Sequence, residues 1–331
     1  MASNKSDRKD KSFVPQPLPL PRGDNSTSMT SSQTINRKLL REMPLIEYSN
    51  DASKADYGKL LIVAGSHRLP GPAILSAKAA LRSGCGTVRV AAPASICTQI
   101  GVYIPELMMI PLPETSAGTL SVKASKILEK QYEACDAVVV GPGLDENDET
   151  NELCLQIVSA CPLPLLIDAQ ALVALGKTPA RKRDYGASQA NRVLERVLTP
   201  HPGEMKGLAE KDVEEIEANR EQTAHDFAQE NGVTLVLKGR ETLIAAPDEK
   251  LFVNTAGTRG MGTAGSGDVL SGVIGALLAQ GMDATRAAVW GVHLHAKAGE
   301  LAAAHQGDDG MMATDFLERL PHALKHFREK K

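Results

Sequence analysis

Short apolar runs rich in β-branched residues recur along this chain: KLLIVAG (59–65), TVRVAAP (87–93), AVVVGPG (137–143), PLLIDAQ (164–170), RVLTPHP (196–202) and TLVLKGR (234–240). Most are separated by segments of helical character at 72–83, 121–131, 147–160 and 204–230. A strand that is apolar at nearly every position is buried on both faces. Strands that alternate with helices pair in parallel, because each helix carries the chain back to the same end of the sheet. The pattern predicts an α/β three-layer sandwich, a mostly parallel central sheet with helices on both faces. TLIAAP (242–247) and LFVNT (251–255), joined by DEK, predict an antiparallel hairpin at the end of that sheet. Helices are expected over 268–281, 283–305 and 312–327.

The 331 residues suffice for a sizeable core without disulfides. We expect residues 1–45 to form a disordered N-terminal tail and 46–331 one domain. Residues 1–35 are rich in Ser, Asn, Pro, Lys and Asp, too polar to offset their ordering entropy. PLPLP within them suits a polyproline-binding module, or simply a floppy tail. A net charge of −3 and 3% aromatic residues give no reason to expect nucleic acid. The five cysteines lack Cys-x-x-Cys spacing and read as buried thiols of a reducing compartment. No signal core is apparent, and the uncharged stretch near 269–282 is too short for a bilayer, so no membrane partner and a cytoplasmic location are expected.

In parallel α/β folds, ligands gather at the carboxyl ends of the strands. Gly65, Gly141 to Gly143, Asp168, His201 to Glu204 and Lys238 to Gly239 all fall at such ends. The stretch NTAGTRGMGTAGSGDVLSGVIGALLAQG (254–281) then adds glycines just ahead of a helix. A helix start carries free N–H groups and a positive dipole end, and glycine lets the backbone approach an anion without a Cβ in the way. GTAGSGD therefore reads as an anion hole for phosphate. Asp268 at the join is either a helix cap or a base that takes a proton from a hydroxyl attacking phosphorus. The stretch is neither a Walker loop nor a dinucleotide fingerprint.

With these pieces assembled, the chain resembles the ADP/ATP-dependent NAD(P)H-hydrate dehydratases, over roughly residues 45–328. The resemblance rests on AGSHRLPGPAILSAKAALRSGCGTVRVAAP (64–93), VVVGPGL (138–144), LLIDAQAL (165–172), LTPHPGEMKGL (198–208), LKGRETLIAAP (237–247) and GTRGMGTAGSGDVLSGVIGALLAQG (257–281), in that order. It implies a ribokinase-like fold and ADP-dependent dehydration of the S-epimer of NADH or NADPH hydrate (NADHX, NADPHX), with release of AMP and phosphate. PHPGE resembles the ADP-using version more than the ATP-using one.

The resemblance further implies Asp268 as catalytic base and substrate contact, with Ala73, Gly143 and His201 as the other substrate contacts. The nucleotide would be held by Lys238, Gly239, Arg240, Glu241 and Thr242 and by Gly265, Ser266 and Gly267. Mg²⁺ is implied as cofactor, with Glu204 near it through water. A homotetramer and functional pairing with a separate NAD(P)H-hydrate epimerase are implied as well. Two departures stand out: Gln170 replaces a frequent Asp, and GPGLDEND replaces GPGLG.

Simpler readings stand beside these. His201 suits a turn between Pro200 and Pro202, Lys238 a snorkelling strand-end lysine, Asp168 a paired structural acid and Glu204 a helix-start acid. His293 and His295 are two apart and do not share a helix face, so zinc is not expected. DENDE (145–149) reads as a solvated loop and RKR (181–183) as a solvated patch in a polar insert, 177–192. Two other functions fit the glycine-rich loop: a kinase of a small hydroxylated metabolite, and a non-catalytic nucleotide-binding regulator.

Overall fold

Alternate residues of one strand feed two separate cores: Leu60 and Ile62 belong to one, Leu61 and Val63 to the other. That is the period-two geometry of a strand buried on both sides. The structure, a computed structural model, describes residues 32–186, 188–189 and 192–328. Its strands are β1 (Gln33–Thr34), β2 (Lys59–Val63), β3 (Thr87–Pro93), β4 (Met108–Leu112), β5 (Ala137–Val140), β6 (Leu165–Ile167), β7 (Ser188–Gln189), β8 (Arg192–Val193), β9 (Arg196–Leu198), β10 (Thr234–Leu237), β11 (Thr242–Ala245) and β12 (Leu251–Asn254). The main sheet has 10 strands in the order β1-β12-β11-β10-β9-β6-β5-β2-β3-β4. β10, β11 and β12 pair antiparallel, and the other neighbours pair in parallel.

Seven helices cover one face: α1 (Arg37–Glu42), α2 (Gly71–Arg82), α3 (Ala94–Tyr103), and, from the C-terminal part, α10 (Ser266–Ala279), α11 (Ala284–Gln306), α12 (Ala313–Leu317) and α13 (Leu320–Arg328). The other face is covered by α4 (Ser125–Tyr132), α5 (Asp148–Ala160), α6 (Gln170–Lys177), α7 (Pro202–Ala209), α8 (Val213–Ala218) and α9 (Arg220–Asn231). The three layers and the terminal hairpin follow the alternation read from the sequence.

Several boundaries differ from expectation. The domain reaches back past residue 46. β1 pairs with β12, Asn36 caps α1 through bonds of 2.9 and 3.1 Å, and Leu39 and Leu40 are buried in the core. Residues 1–31, with PLPLP, lie outside the described residues. β4, α3 and α6 had no prior signal. β4 is an edge strand interrupted by Pro111, tolerated where no further strand needs its N–H. The expected 204–230 helix is three helices, broken first where Glu210 adopts a left-handed φ of 54° and again at Asn219, which leaves helical geometry between α8 and α9.

Arg183 of the RKR run is not solvated. Its guanidinium donates to the carbonyls of Leu175 (3.0 Å), Thr178 (2.7 Å) and Gly207 (2.8 Å), and also to that of Leu208. It thereby caps the C-terminal ends of both α6 and α7, supplying donors to carbonyls that a helix end leaves unpaired.

The apolar 269–279 segment is core throughout. Its glycines permit a deep seat. A Cβ on Gly272 would lie 2.1 Å from the Ser76 carbonyl, and one on Gly275 would lie 2.4 Å from Val139 Cγ2. α10 therefore sits directly on α2 and β5, and its N-terminus arrives at the carboxyl edge of the sheet.

Candidate functional site

The sheet order reverses between β5 and β2, since the chain runs from β2 outward through β3 and β4 before returning to β5. Such a switch point opens a crevice at the carboxyl edge. Gly65 follows β2 there with φ 84°, and its N–H donates 2.8 Å to the Pro142 carbonyl in the loop after β5. Gly143 (φ 66°) packs so closely that a Cβ would lie 2.8 Å from Pro72 Cβ and 2.9 Å from the Leu69 carbonyl. Ala73 is fully buried behind this loop, 3.2 Å from where a Gly65 Cβ would stand. It shapes the crevice from beneath and offers no exposed surface to a ligand.

α10 opens on the same edge. Gly265, with φ 86°, turns the chain into it, and Asp268 follows in its first turn. Ser76 donates 3.0 Å to the Asp268 carbonyl, which fixes the helix start on α2. The mouth is open: a Cβ on Gly267 would meet only Lys238 Nζ, at 3.5 Å. Ser266 Oγ lies 3.4 Å from Nε2 of buried His295. Burial lowers the pKa of that ring to about 4, so it is neutral at physiological pH.

Opposite the mouth, Lys238 at the end of β10 lies 3.1 Å from Asp168 Oδ1 and 3.6 Å from Glu204 Oε2. Asp168, 2% exposed at the end of β6, accepts a second bond of 2.6 Å from Ser271 on α10. Burial pushes the Asp168 carboxyl up. Lys238, Ser271 and Thr199 outweigh that and hold it below the usual range. Lys238 responds inversely: burial lowers it, and the Asp168 and Glu204 carboxylates hold it above the usual lysine range. Asp268 is pushed up to about 7, first by burial and then by the Asp168 charge, against the opposing pull of Lys238. A carboxyl with a proton affinity near neutrality, beside an open helix start whose free amides suit an anion, is suited to exchange a proton with a hydroxyl.

His201 caps α7. Its Nδ1 accepts from the Glu204 N–H at 3.2 Å, and its own N–H donates 2.8 Å to Glu204 Oε2. The ring remains 56% exposed at the edge of the crevice. Gly239, Arg240 and Glu241 form an exposed turn, with the Thr242 hydroxyl 3.4 Å from the Gly239 carbonyl. Arg220 escaped notice in the sequence. It donates to the carbonyls of Leu237 (3.2 Å), Lys238 (3.3 Å) and Glu241 (3.1 Å), which braces this turn. Asp168, Glu204, Lys238 and the start of α10 therefore converge, while Ala73 stays beneath them.

Three other features were not legible beforehand. Ala169 adopts φ 47° and ψ −121°, a strained turn for a residue with a Cβ, directly after Asp168. Gln170 donates 2.8 Å to Asn151, so its side chain is bonded across to α5. Asp145 of DENDE accepts 3.0 Å from Ser66 across the crevice. His293 bonds Asn254 at 3.1 Å while His295 faces Ser266, so the two rings serve different elements. A cavity of about 460 Å³ lined by Arg37, Arg41, Tyr48, Trp290 and Phe327 contains none of the strand-end residues.

The family model for NAD(P)H-hydrate dehydratase matches residues 60–322. The ADP-dependent (S)-NAD(P)H-hydrate dehydratase of Xanthomonas campestris is 35% identical over 292 residues, 88% of this chain and 96% of that enzyme. A bifunctional NAD(P)H-hydrate repair enzyme of Thermofilum pendens is 39% identical over 287 residues, covering 87% of this chain and 53% of the enzyme. The chain spans about half the length of such bifunctional relatives. Among solved structures, the ADP/ATP-dependent NAD(P)H-hydrate dehydratase of Bacillus subtilis, co-crystallised with ATP and Mg²⁺, matches with a TM-score of 0.74 at 27% identity. It covers 89% of this chain and 99% of that one. The architecture is the ribokinase-like three-layer sandwich.

Proposed function

The chain belongs to the NAD(P)H-hydrate dehydratase family, and from that premise we propose that it returns the S-epimer of NADH or NADPH hydrate to the reduced cofactor. ADP is the phosphoryl donor, and AMP and phosphate are released. The observation that carries this reading is the open mouth of α10 beside Asp268, with Lys238 on its far side.

Hydroxide is a poor leaving group from the damaged ring. Asp268 takes the proton from the hydrate hydroxyl as its oxygen attacks the β-phosphorus of ADP, and the bond to AMP breaks. The amides at Gly265, Ser266 and Gly267 and the Lys238 ammonium hold the charge on the moving phosphoryl group. The ring nitrogen's lone pair then expels phosphate, and the adjacent ring carbon gives up a proton to form the double bond. Gly143 and His201 line the hydrate's side of the crevice. The Gly239–Thr242 turn, braced by Arg220, lines the nucleotide's.

Among the described residues no three His, Cys, Asp or Glu side chains converge as a metal cage. That suits an ion carried mainly by phosphates and water, for which one or two protein carboxylates suffice. Glu204 would be the carboxylate that holds Mg²⁺, through water. When bound, the ion neutralises the phosphates.

The exposed apolar side chains Val102, Tyr103 and Met108, 79%, 61% and 47% exposed, support a homo-oligomer, which we propose to be a tetramer. Pairing with an NAD(P)H-hydrate epimerase belongs to the same proposal. Among the described residues no helix is long and apolar enough to cross a membrane, and the five cysteines are free and buried. Those five thiols support a cytoplasmic setting.

Incubation with hydrate, Mg²⁺ and either ADP or ATP tests the reading. With ADP, NADH absorbance should appear with stoichiometric AMP, and faster than with ATP, whose transfer would leave ADP instead. A persistent phosphoester would establish a small-molecule kinase instead, and ADP binding without cleavage a regulator.

A further inference from the structure

We infer that Asp168 is a positioning residue: its two carboxylate oxygens tie Lys238 on β10 to Ser271 on α10, one helical turn beyond Asp268, and so fix the base and a buried negative charge relative to one another. This rests on the reading of Asp268 as the base.

The geometry is specific. Ser271 lies one helical turn after Asp268, so the two share a face of α10, and that face is turned toward β6. One Asp168 oxygen takes the Ser271 hydroxyl at 2.6 Å and the other takes Lys238 Nζ at 3.1 Å. The single side chain therefore registers the helix that carries the base against the strand that carries the ammonium.

The backbone holds Asp168 in place from both sides. A Cβ on Gly141 would stand 1.8 Å from the Asp168 carbonyl, so only glycine permits that approach. The next residue, Ala169, is held in its strained turn. Strain of this kind persists only where the surroundings over-determine it.

The charged groups around Asp268 are few. Asp168 at the end of β6 and Lys238 at the end of β10 act on its charge, the first unfavourably and the second favourably. α2 contributes the Ser76 hydroxyl, and α11 contributes His295, whose ring is neutral at physiological pH. Desolvation raises Asp268 most, and among the described residues Asp168 is the charged group that raises it further. Removing the Asp168 charge should lower Asp268, and the released Lys238 would act in the same direction.

Protein labelled with ¹³C at the aspartate carboxyl carbons, titrated without ligands, tests this, with assignments from Asp268→Asn and Asp168→Asn. In the unaltered protein Asp268 should titrate near 7, while Asp168 stays ionised throughout the range from about pH 5 to 9. In Asp168→Asn the Asp268 midpoint should fall by about one unit or more, and the acid limb of kcat/KM should move with it. Ser271→Ala, which keeps the charge, should leave that midpoint in place. An unmoved midpoint in folded Asp168→Asn overturns the inference, as does an Asp168 resonance that titrates in the unaltered protein. The titration requires no turnover, so an inactive enzyme with the expected midpoints would defeat the proposed function and leave this coupling standing.

Discussion

Asp268→Asn is expected to lower kcat by about two to four orders of magnitude, the usual contribution of a positioned base. The dissociation constant for ADP should change by less than about threefold, because the lost interaction belongs to the transition state. The same substitution should stabilise the protein at alkaline pH. With its pKa raised to about 7 against an ordinary 3.8, Asp268 keeps its proton in the folded state through a range where the unfolded chain has released it. Its contribution to stability therefore falls as pH rises from about 4 to 7, and is lowest above 7. Partial access to solvent reduces the penalty, so a rise in Tm of about 2–6 °C at pH 8 is expected, and a much smaller one at pH 5. Calorimetry at the two pH values, with turnover measured beside it, checks both halves. Near-normal turnover would remove Asp268 from the chemistry. A Tm unchanged at pH 8 would show that its carboxylate is not strained there.

Gly267→Val should act in the opposite way, weakening binding without harming the fold. A Cβ at this position meets nothing nearer than Lys238 Nζ at 3.5 Å, and the backbone is not left-handed there. Valine suits a helix better than glycine does, so Tm should hold or rise slightly. Its methyl groups would occupy the space in front of the helix-start amides. Loss of a phosphate's charge-assisted bonds there should weaken ADP by about a hundredfold or more. Calorimetric titration with ADP and Mg²⁺ measures this, and an unchanged affinity would mean that the phosphates bind elsewhere.

The sheet was legible because its strands are apolar at nearly every position, a pattern that needs no knowledge of the tertiary contacts. The start of α10 was legible for a related reason: glycines before an apolar helix, with an acid at the join, have few other uses. What escaped notice depends on contacts distant in sequence. Arg220 braces a turn some twenty residues later, and Arg183 caps two helices from within a run that looks solvated. β1 and α1 were absorbed into a polar tail because Leu39 and Leu40 gain their burial only once the rest of the domain is present. Ala73 is part of a motif associated with substrate contact, yet its position in α2 leaves it wholly covered. Asp168 was recognisable as an acid at a strand end. Its bond to Ser271, 103 positions away, was not.

The most direct measurement follows one oxygen atom. Hydrate carrying ¹⁸O in its ring hydroxyl, turned over with unlabelled ADP in ordinary water, places that atom either in phosphate or in water. If Asp268 readies the hydroxyl to receive the phosphoryl group at the mouth of α10, each released phosphate carries one ¹⁸O. Unlabelled phosphate, with the heavy oxygen recovered in water, would mean that the nucleotide is cleaved apart from the hydroxyl, and the account would be contradicted.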